Sequence, residues 1–429
     1  MQKFVTLKKK NLTMKDINIL FMLVCFLVGV FTSYVTNYGV LIILTFVLSF
    51  LILFRTKKNY LLLIMFGIIF YCNYSILMLV YIRPDNSLFS SENFTSIGYT
   101  SLQILFLFNF VVYLFLPEKI KEFKFYSLYS STKIHPMLHI INMLLILNVT
   151  LLGRSSNGES ALWGYVVILL LLGLYFSNRD KKLKYAYLAL GCVFAIKSLI
   201  SFGRSSLTQV LIVLFLYFCP KKLIKKTLLI LVGMLCVYFA FNFVGIFRSN
   251  RDLGFVQVFI LTIKQVLGYM FAVDTASSAY FTGETFVKMA LNDSVLKRFY
   301  MFGLLIIYMI VGGSVLPQAN LPEYTHNFYT HYYGGVFPFY GWYYLGGLGV
   351  ILLAFLITYI VRKINVIKID TKYGFVTPIL VLIVSSTFLW YLYHPSSLIR
   401  TPLIFFVGYY AFIYGSKIIE WFLLKIEKK

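Results

Sequence analysis

The run NYLLLIMFGIIFYCNYSILMLVYI, residues 59–82, decides the fold class of this chain. It contains no charged side chain, follows the basic stretch RTKK (55–58) and ends just before Arg83. A helix of about 20 apolar residues crosses the hydrocarbon core of a bilayer, and it satisfies its own backbone hydrogen bonds there. The run therefore predicts a transmembrane helix.

Similar apolar runs recur along nearly the whole chain, in which 60% of the residues are hydrophobic and 13% are charged. Their uninterrupted apolar character argues against a β-barrel, whose strands alternate. The sequence predicts an all-α, polytopic transmembrane helical bundle with about 12–14 spans in one domain, residues 1–429. The predicted spans are 17–36, 38–54, 59–82, 98–116, 137–153, 160–177, 185–201, 207–219, 227–246, 255–273, 299–315, 338–361, 374–393 and 402–421.

Residues 255–273 and 299–315 leave two arrangements open. If both cross the membrane, the outer loops that carry the candidate site are 247–254 and 314–337. If both lie on or dip into the outer surface, residues 247–337 form one long outer loop. The two segments change together, so the sidedness of everything that follows is the same in both arrangements.

Lysine is concentrated in alternate loops, which indicates the sidedness of the chain. Examples are PEKIKEFK (117–124), PKKLIKK (220–226) and VRKINVIKIDTK (361–372). Cytoplasmic loops of membrane proteins carry an excess of basic residues, so we expect these loops and both termini to be cytoplasmic. The net charge of +24 then needs no nucleic-acid partner. The outer loops contain arginine but almost no lysine, with Lys197 the nearest exception.

The sequence GRSS occurs twice, at 153–156 and at 203–206. Arg204 lies between two apolar runs, and the serines after it are candidate caps for the next helix. A helix start, hydroxyls and a planar guanidinium fork together suit a phosphate. Contact with lipid headgroups is the alternative, especially for Arg154. The outer arginines, which we predict to bind a lipid-linked phosphate or diphosphate, are Arg154, Arg204, Arg248, Arg251 and Arg400.

Residues 321–349 form the second candidate feature, an aromatic segment around two histidines. Aromatic faces and amide groups together bind sugar rings, and an imidazole titrates near neutral pH. We therefore predict His326 as a general base. The residues predicted to bind substrate here are Tyr324, Asn327 and His331. A metal site formed by Glu323, His326 and His331 is an alternative, although its spacing fits no established motif.

Other polar residues and motifs add little. His394 is an outer-face candidate of second rank. The five cysteines fall in or beside apolar runs and are predicted to be buried apolar residues. No P-loop, GxSxG, HExxH or CxxC motif occurs, so we expect no cofactor and no metal.

The many spans, SFGRSS (201–206), the outer arginines and HNFY (326–329) ahead of GWYYLGGLG (341–349) resemble a known family. They are similar to the Wzy-type oligosaccharide repeat-unit polymerases that build O-antigen and capsule. The HN segment also resembles a motif of the related O-antigen ligases, in which a glycine follows sooner than Gly341 does here.

The resemblance implies a metal-independent GT-C glycosyltransferase in the bacterial inner membrane. It would move a growing glycan from undecaprenyl diphosphate onto another lipid-linked repeat unit. Arg204 and the other arginines would stabilise the leaving diphosphate, and His326 would activate the acceptor hydroxyl. The expected partners are the undecaprenyl-diphosphate-linked oligosaccharide, membrane lipid and a chain-length regulator protein.

Three other functions remain open from the sequence. A lipid-linked oligosaccharide flippase (Wzx-type) would also have many spans and a basic balance. It is disfavoured because no repeat relates the two halves and charges within spans are scarce, with Lys264 the main one. An O-antigen ligase is the close enzymatic alternative, and a membrane acyltransferase is a weaker one.

Overall fold

The computed structural model describes most of the chain as helix. The described ranges are 38–83, 96–123, 128–130, 132–152, 163–177, 180–200, 204–218, 252–268, 272–311, 316–331, 334–366 and 375–427, with short helical pieces between 235 and 247. These ranges contain no β-strand, which confirms the all-α class. The predicted span 17–36 and most of 227–246 lie outside them.

The helices follow the predicted apolar runs closely, except between residues 255 and 337. Residues Leu77–Ile82 continue α2 as a π-helix, and Pro317–Ala319 form one 3₁₀ turn. The α-helices are α1 (Tyr38–Thr56), α2 (Tyr60–Ile76), α3 (Ser96–Phe115), α4 (Pro136–Leu152), α5 (Trp163–Phe176), α6 (Lys181–Ile200), α7 (Arg204–Phe218), α8 (Phe255–Gly268), α9 (Asp274–Asn292), α10 (Val295–Val311), α11 (Leu321–His326), α12 (Phe337–Asn365), α13 (Val376–Ser385), α14 (Thr387–Leu392) and α15 (Ser397–Glu427).

Among the described residues, 5 helices are long and apolar enough to cross a membrane. They are α1, α2 with its π continuation, α3, α12 and α15, and shorter apolar helices accompany them. Large apolar side chains such as Leu152 and Leu296 stay exposed, at 74% and 81%, as expected where lipid covers the surface. The chain is a multi-pass membrane protein.

One end of the bundle collects the described parts of the lysine-rich loops. We call it the lysine end; it comprises residues 55–59, 117–123, 128–130, 132–135, 180–184 and 362–366. Hydrogen bonds join these loops to one another and to neighbouring helix ends. They connect Arg55 to the carbonyl of Tyr113, Asn59 to Lys121, Asn365 to Lys119, Tyr217 to Leu128, and the amide of His135 to Ser416.

The opposite end, the aromatic end, comprises residues 77–83, 98–99, 163–165, 316–331, 334–345 and 393–400. Helices that leave the lysine end arrive here. For example, α15 has Ser416 at the lysine end, whereas Arg400 in its first turn contacts Tyr165. The tyrosine hydroxyl of Tyr340 likewise donates to the carbonyl of Tyr393 at 2.6 Å.

The segment 274–311 forms two helices, α9 and α10, in the region where the sequence leaves two arrangements open. Lys297, near the start of α10, contacts Tyr324, and Tyr308, near its end, packs on His394 with ring centroids 4.7 Å apart. Both partners belong to the aromatic end, so α10 lies across this end, which favours the arrangement in which 299–315 lies on the surface. Lys288 and Lys297 lie here too, over the rings of Tyr329 and Tyr324, so the aromatic end carries lysine.

Helix α9 escaped prediction because its sequence, DTASSAYFTGETFVKMALN, is rich in small and polar residues. Those small residues permit close packing against α12, α2 and α3. A Cβ on Gly283 would lie 2.4 Å from Cδ2 of Phe339. Close helix contact, not hydropathy, therefore holds α9 in the bundle.

The glycine-rich stretch GWYYLGGLG makes a sharp bend within α12. Gly346 has φ 62° and ψ −147°, a conformation that side chains disfavour. Beyond the bend Gly349 packs directly on Gly341, and a Cβ on Gly349 would lie 2.0 Å from the Gly341 carbonyl oxygen. The bend separates residues 337–345, at the aromatic end, from the membrane-crossing part of α12.

Candidate functional site

Arg400 is a half-buried cation at the aromatic end. One guanidinium nitrogen, Nη2, donates to the hydroxyl of Tyr165 at 3.3 Å. Within the described part of the chain the one salt bridge joins Lys297 to Asp293, so no carboxylate pairs with Arg400 there. A guanidinium carries five N–H donors. Several donors therefore remain for a ligand.

His394 lies in the turn between α14 and α15. Its Nδ1 accepts the backbone N–H of Ser396 at 3.1 Å, which assigns the ring hydrogen of the neutral form to Nε2. Nε2 is closed off from solvent and has no hydrogen-bond partner in the described structure. Burial lowers the pKa of His394 to about 3, so the ring is neutral at neutral pH. It offers one unpartnered, uncharged N–H donor.

Tyr308 interacts with both His394 and Arg400. Its ring lies against the His394 ring. The centroids of the His394 and Tyr340 rings are 5.4 Å apart. Burial raises the pKa of the Tyr308 phenol, and the Arg400 guanidinium opposes that shift. We call Arg400, His394, Tyr308 and Tyr165 the Arg400 site. A cation, a neutral N–H and two phenols form a suitable environment for an oxyanion.

The short helix α11 lies beside the Arg400 site. Its Glu323 acts electrostatically on the Tyr308 hydroxyl, and His326 follows three residues later on the same helix face. His326 is exposed, and its ring packs edge-on against that of His331 with centroids 5.2 Å apart. His331 Nε2 is 2.9 Å from Oγ1 of Thr325. The predicted base is thus accessible, on the helix whose Glu323 acts on Tyr308 of the Arg400 site.

The other residues predicted in this segment separate into two groups. Asn327 is exposed at the end of α11. Tyr324, predicted to bind substrate, instead has its hydroxyl 3.0 Å from a carboxylate oxygen of Asp293. No three His, Cys, Asp or Glu side chains of the described ranges form a group that could hold a metal ion. The alternative metal site of Glu323, His326 and His331 is therefore not assembled.

Asp293 connects four helices at the aromatic end. It caps the end of α9, and its carboxylate accepts from the Lys297 ammonium at 2.8 Å and from the Tyr343 hydroxyl at 2.8 Å, besides Tyr324. Its hydrogen bond raises the pKa of Lys297. This carboxylate joins α9, α10, α11 and α12, so we assign it to structure.

Of the remaining predicted arginines, the structure describes only the backbone of Arg204. Arg204 begins α7, whose Tyr217 binds at the lysine end, so the backbone of Arg204 stands at the aromatic end. The side chain of Arg204, and the whole of Arg154, Arg248 and Arg251, fall outside the described residues. The predicted serine cap is wrong, because the helix already starts at Arg204 and Ser206 is buried in its first turn.

Sequence reasoning missed Tyr165 and Tyr308. Each lies in an apolar run and resembles an interfacial aromatic residue, so only the fold reveals its contact with Arg400 or His394. No protein-family model, curated protein or solved structure matches this chain. The functional argument therefore depends on the site itself.

Proposed function

We propose that this protein is a membrane glycosyltransferase that polymerises undecaprenyl-diphosphate-linked oligosaccharide repeat units into O-antigen or capsular polysaccharide. The observation that supports this function is the Arg400 site: a half-buried guanidinium with unused donors, and Tyr308, which this guanidinium acts on and whose ring packs on His394 with its unpartnered Nε2–H. In this proposal the lysine end faces the cytoplasm. The Arg400 site then lies at the outer face of the bacterial inner membrane, where lipid-linked glycans are presented.

The site suits the bond changes of glycosyl transfer. The acceptor hydroxyl gives its proton to His326, and its oxygen bonds to the anomeric carbon of the donor. The bond from that carbon to the diphosphate oxygen breaks, and the lipid diphosphate leaves with the electron pair. Arg400 stabilises the developing negative charge bidentately, and the neutral His394 adds one N–H donor. Arg204, at the start of α7, supplies a second cation at the same end.

A deletion strain tests this function and separates its rivals. Loss of a polymerase leaves single repeat units on the final acceptor. Loss of a flippase or a ligase leaves no decorated acceptor. Complementation with the wild-type gene must restore long glycan, and long glycan in the deletion strain itself would refute the proposal. The chain-length regulator is a proposed partner that alters product length without replacing this protein.

A further inference from the structure

Glu284 is a buried carboxyl that the proposed chemistry does not use. It lies on α9, is partly exposed as a residue, and has its Oε1 atom closed off from solvent without a hydrogen-bond partner in the described structure. A buried polar atom normally has a partner. An orphaned carboxyl oxygen beside an accessible surface is therefore a sign of a ligand site.

Glu284 lies one helical turn after Tyr280, which belongs to a cluster of four tyrosines. Tyr38 lies 5.8 Å from Tyr81 and 5.5 Å from Tyr99 between ring centroids, and Tyr81 lies 6.1 Å from Tyr280. The Tyr81 hydroxyl contacts that of Tyr280 and donates to the carbonyl of Gly98 at 2.9 Å. Tyr99 and Tyr280 are buried, whereas Tyr38 and Tyr81 are partly exposed. The cluster thus has two buried rings and two rings that are accessible from the surface.

The carboxyl is largely uncharged at neutral pH. Helix α9 is not among the helices that could cross the membrane, and burial raises the pKa of Glu284 to about 8, opposed by the Lys288 ammonium. Glu284 itself acts electrostatically on the phenols of Tyr38, Tyr81 and Tyr280. A protonated carboxyl both donates and accepts a hydrogen bond. A sugar hydroxyl also donates and accepts a hydrogen bond, so it complements this carboxyl.

We propose that Glu284 and the tyrosines Tyr38, Tyr81, Tyr99 and Tyr280 form a binding site for a neutral sugar residue. The rings would cover the apolar C–H faces of the sugar, and the carboxyl would bond its hydroxyls. This inference rests on the proposed function in one respect: it identifies the sugar as part of the glycan chain under synthesis.

The position of the Glu284 site assigns it to holding the chain and not to proton transfer. Packed aromatic residues between α9 and α12 separate it from the Arg400 site. Tyr280 and Gly283 contact Phe339. Phe286 packs on Tyr340, which also contacts His394. A general base must reach the reacting hydroxyl within hydrogen-bond distance. The rings of Phe339 and Tyr340 lie between α9, which carries Glu284, and His394.

Two substitutions at Glu284 test the proposal. Glu284→Gln keeps one donor and one acceptor, whereas Glu284→Leu keeps the volume and removes both. The probe is the oligosaccharide released by mild acid from the host's lipid-linked repeat units. Its binding to the purified full-length protein in detergent is measured by calorimetry and saturation-transfer NMR. We expect the wild type and Glu284→Gln to bind, and Glu284→Leu to bind about tenfold more weakly.

A matched control and a second readout make the result decisive. Glu420→Leu makes the same change on the exposed part of α15 at the other end and should bind as the wild type does. In cells, Glu284→Leu should give shorter glycan while the first linkages still form. Equal binding by wild type and Glu284→Leu would overturn the site. So would loss of all linkage formation in Glu284→Gln, which would make Glu284 a base. Because binding is measured without turnover, it fails independently of the polymerase proposal.

Discussion

At the scale of single residues, two arginines illustrate different uses of the same side chain. Arg55 donates to the carbonyl oxygens of Tyr113, Leu116 and Pro117, so both of its Nη nitrogens have backbone acceptors. Arg400 has one phenol partner and otherwise points its fork at no described acceptor. A structural arginine holds backbone, whereas an arginine with unused donors is prepared for a ligand.

Arg400 gives the first prediction. Arg400→Gln should lower the polymerisation rate by about 10²-fold or more, because it removes charge stabilisation of the leaving diphosphate. Arg400→Lys should recover part of the rate, since a point charge lacks the bidentate fork. Rates are measured with lipid-linked repeat units in proteoliposomes. Arg362→Lys, at the lysine end, is the control and should keep wild-type activity. Full activity in Arg400→Gln would remove the diphosphate from this site.

His326 gives the second prediction. If it accepts the proton of the acceptor hydroxyl, His326→Ala should lower turnover by about 10²- to 10⁴-fold and leave substrate binding nearly intact. His331→Ala should cost much less, because the His331 ring is bonded to Thr325 within the loop. Both variants are compared by single-turnover kinetics at equal protein level. A His326→Ala strain that still makes long glycan would exclude this role, and equal losses rescued by zinc would restore the metal alternative.

His394 gives a prediction on pH and stability. Burial lowers its pKa from an ordinary 6.5 to about 3, so the unfolded chain binds a proton there that the folded chain does not. The stabilising contribution is therefore complete above about 6.5 and is lost as pH falls toward about 3. We expect the thermal midpoint in detergent to decline over this range and His394→Gln to reduce the slope. An unchanged slope in the variant would show that His394 is not held neutral by the fold.

At the scale of elements, the Asp293 carboxylate holds α11 in place beside the Arg400 site. It accepts from Tyr324 on α11, Tyr343 on α12 and Lys297 on α10. Asp293→Ala should lower the stability of the protein by about 1.5–3 kcal/mol, the usual contribution of hydrogen bonds to a charged group. Since half-exposed Lys297 contributes little, the double substitution Tyr324→Phe/Tyr343→Phe should reproduce most of the loss. Thermal unfolding of the purified protein measures both.

The same substitution separates structure from chemistry. In Asp293→Ala, α11 loses its anchor, so His326 should be placed less accurately and turnover should fall even well below the unfolding temperature. Tyr324→Phe alone should be milder, because the carboxylate keeps its other two partners. If Tyr324→Phe abolished turnover without affecting stability, the original prediction that Tyr324 binds substrate would regain support.

At the scale of the whole molecule, hydropathy predicted the helices with continuous apolar sequence. It failed for the features that depend on close packing between helices. The predicted span 338–361 corresponds to Phe337–Asn365 because its apolar run is continuous. Helix α9 was missed because its small residues carry no hydropathy signal, and the bend at Gly346 requires knowledge of backbone contact. The free donor of His394 and the orphaned oxygen of Glu284 depend on distant helices, so no local pattern could reveal them.

Sidedness is the prediction that belongs to the whole chain. Contacts place Lys58 and Val366 at the lysine end and Ser294 and Thr330 at the aromatic end, where α10 lies across the bundle. Single cysteines at these four positions, in a background with Cys25, Cys72, Cys192, Cys219 and Cys236 replaced, should react in two pairs. An impermeant maleimide should label 294 and 330 on intact spheroplasts, and 58 and 366 only after lysis. Labelling of 330 without 294 would mean that α10 crosses the membrane. Labelling of 366 without 330 would reverse the orientation and place the Arg400 site in the cytoplasm, away from any substrate presented at the outer face.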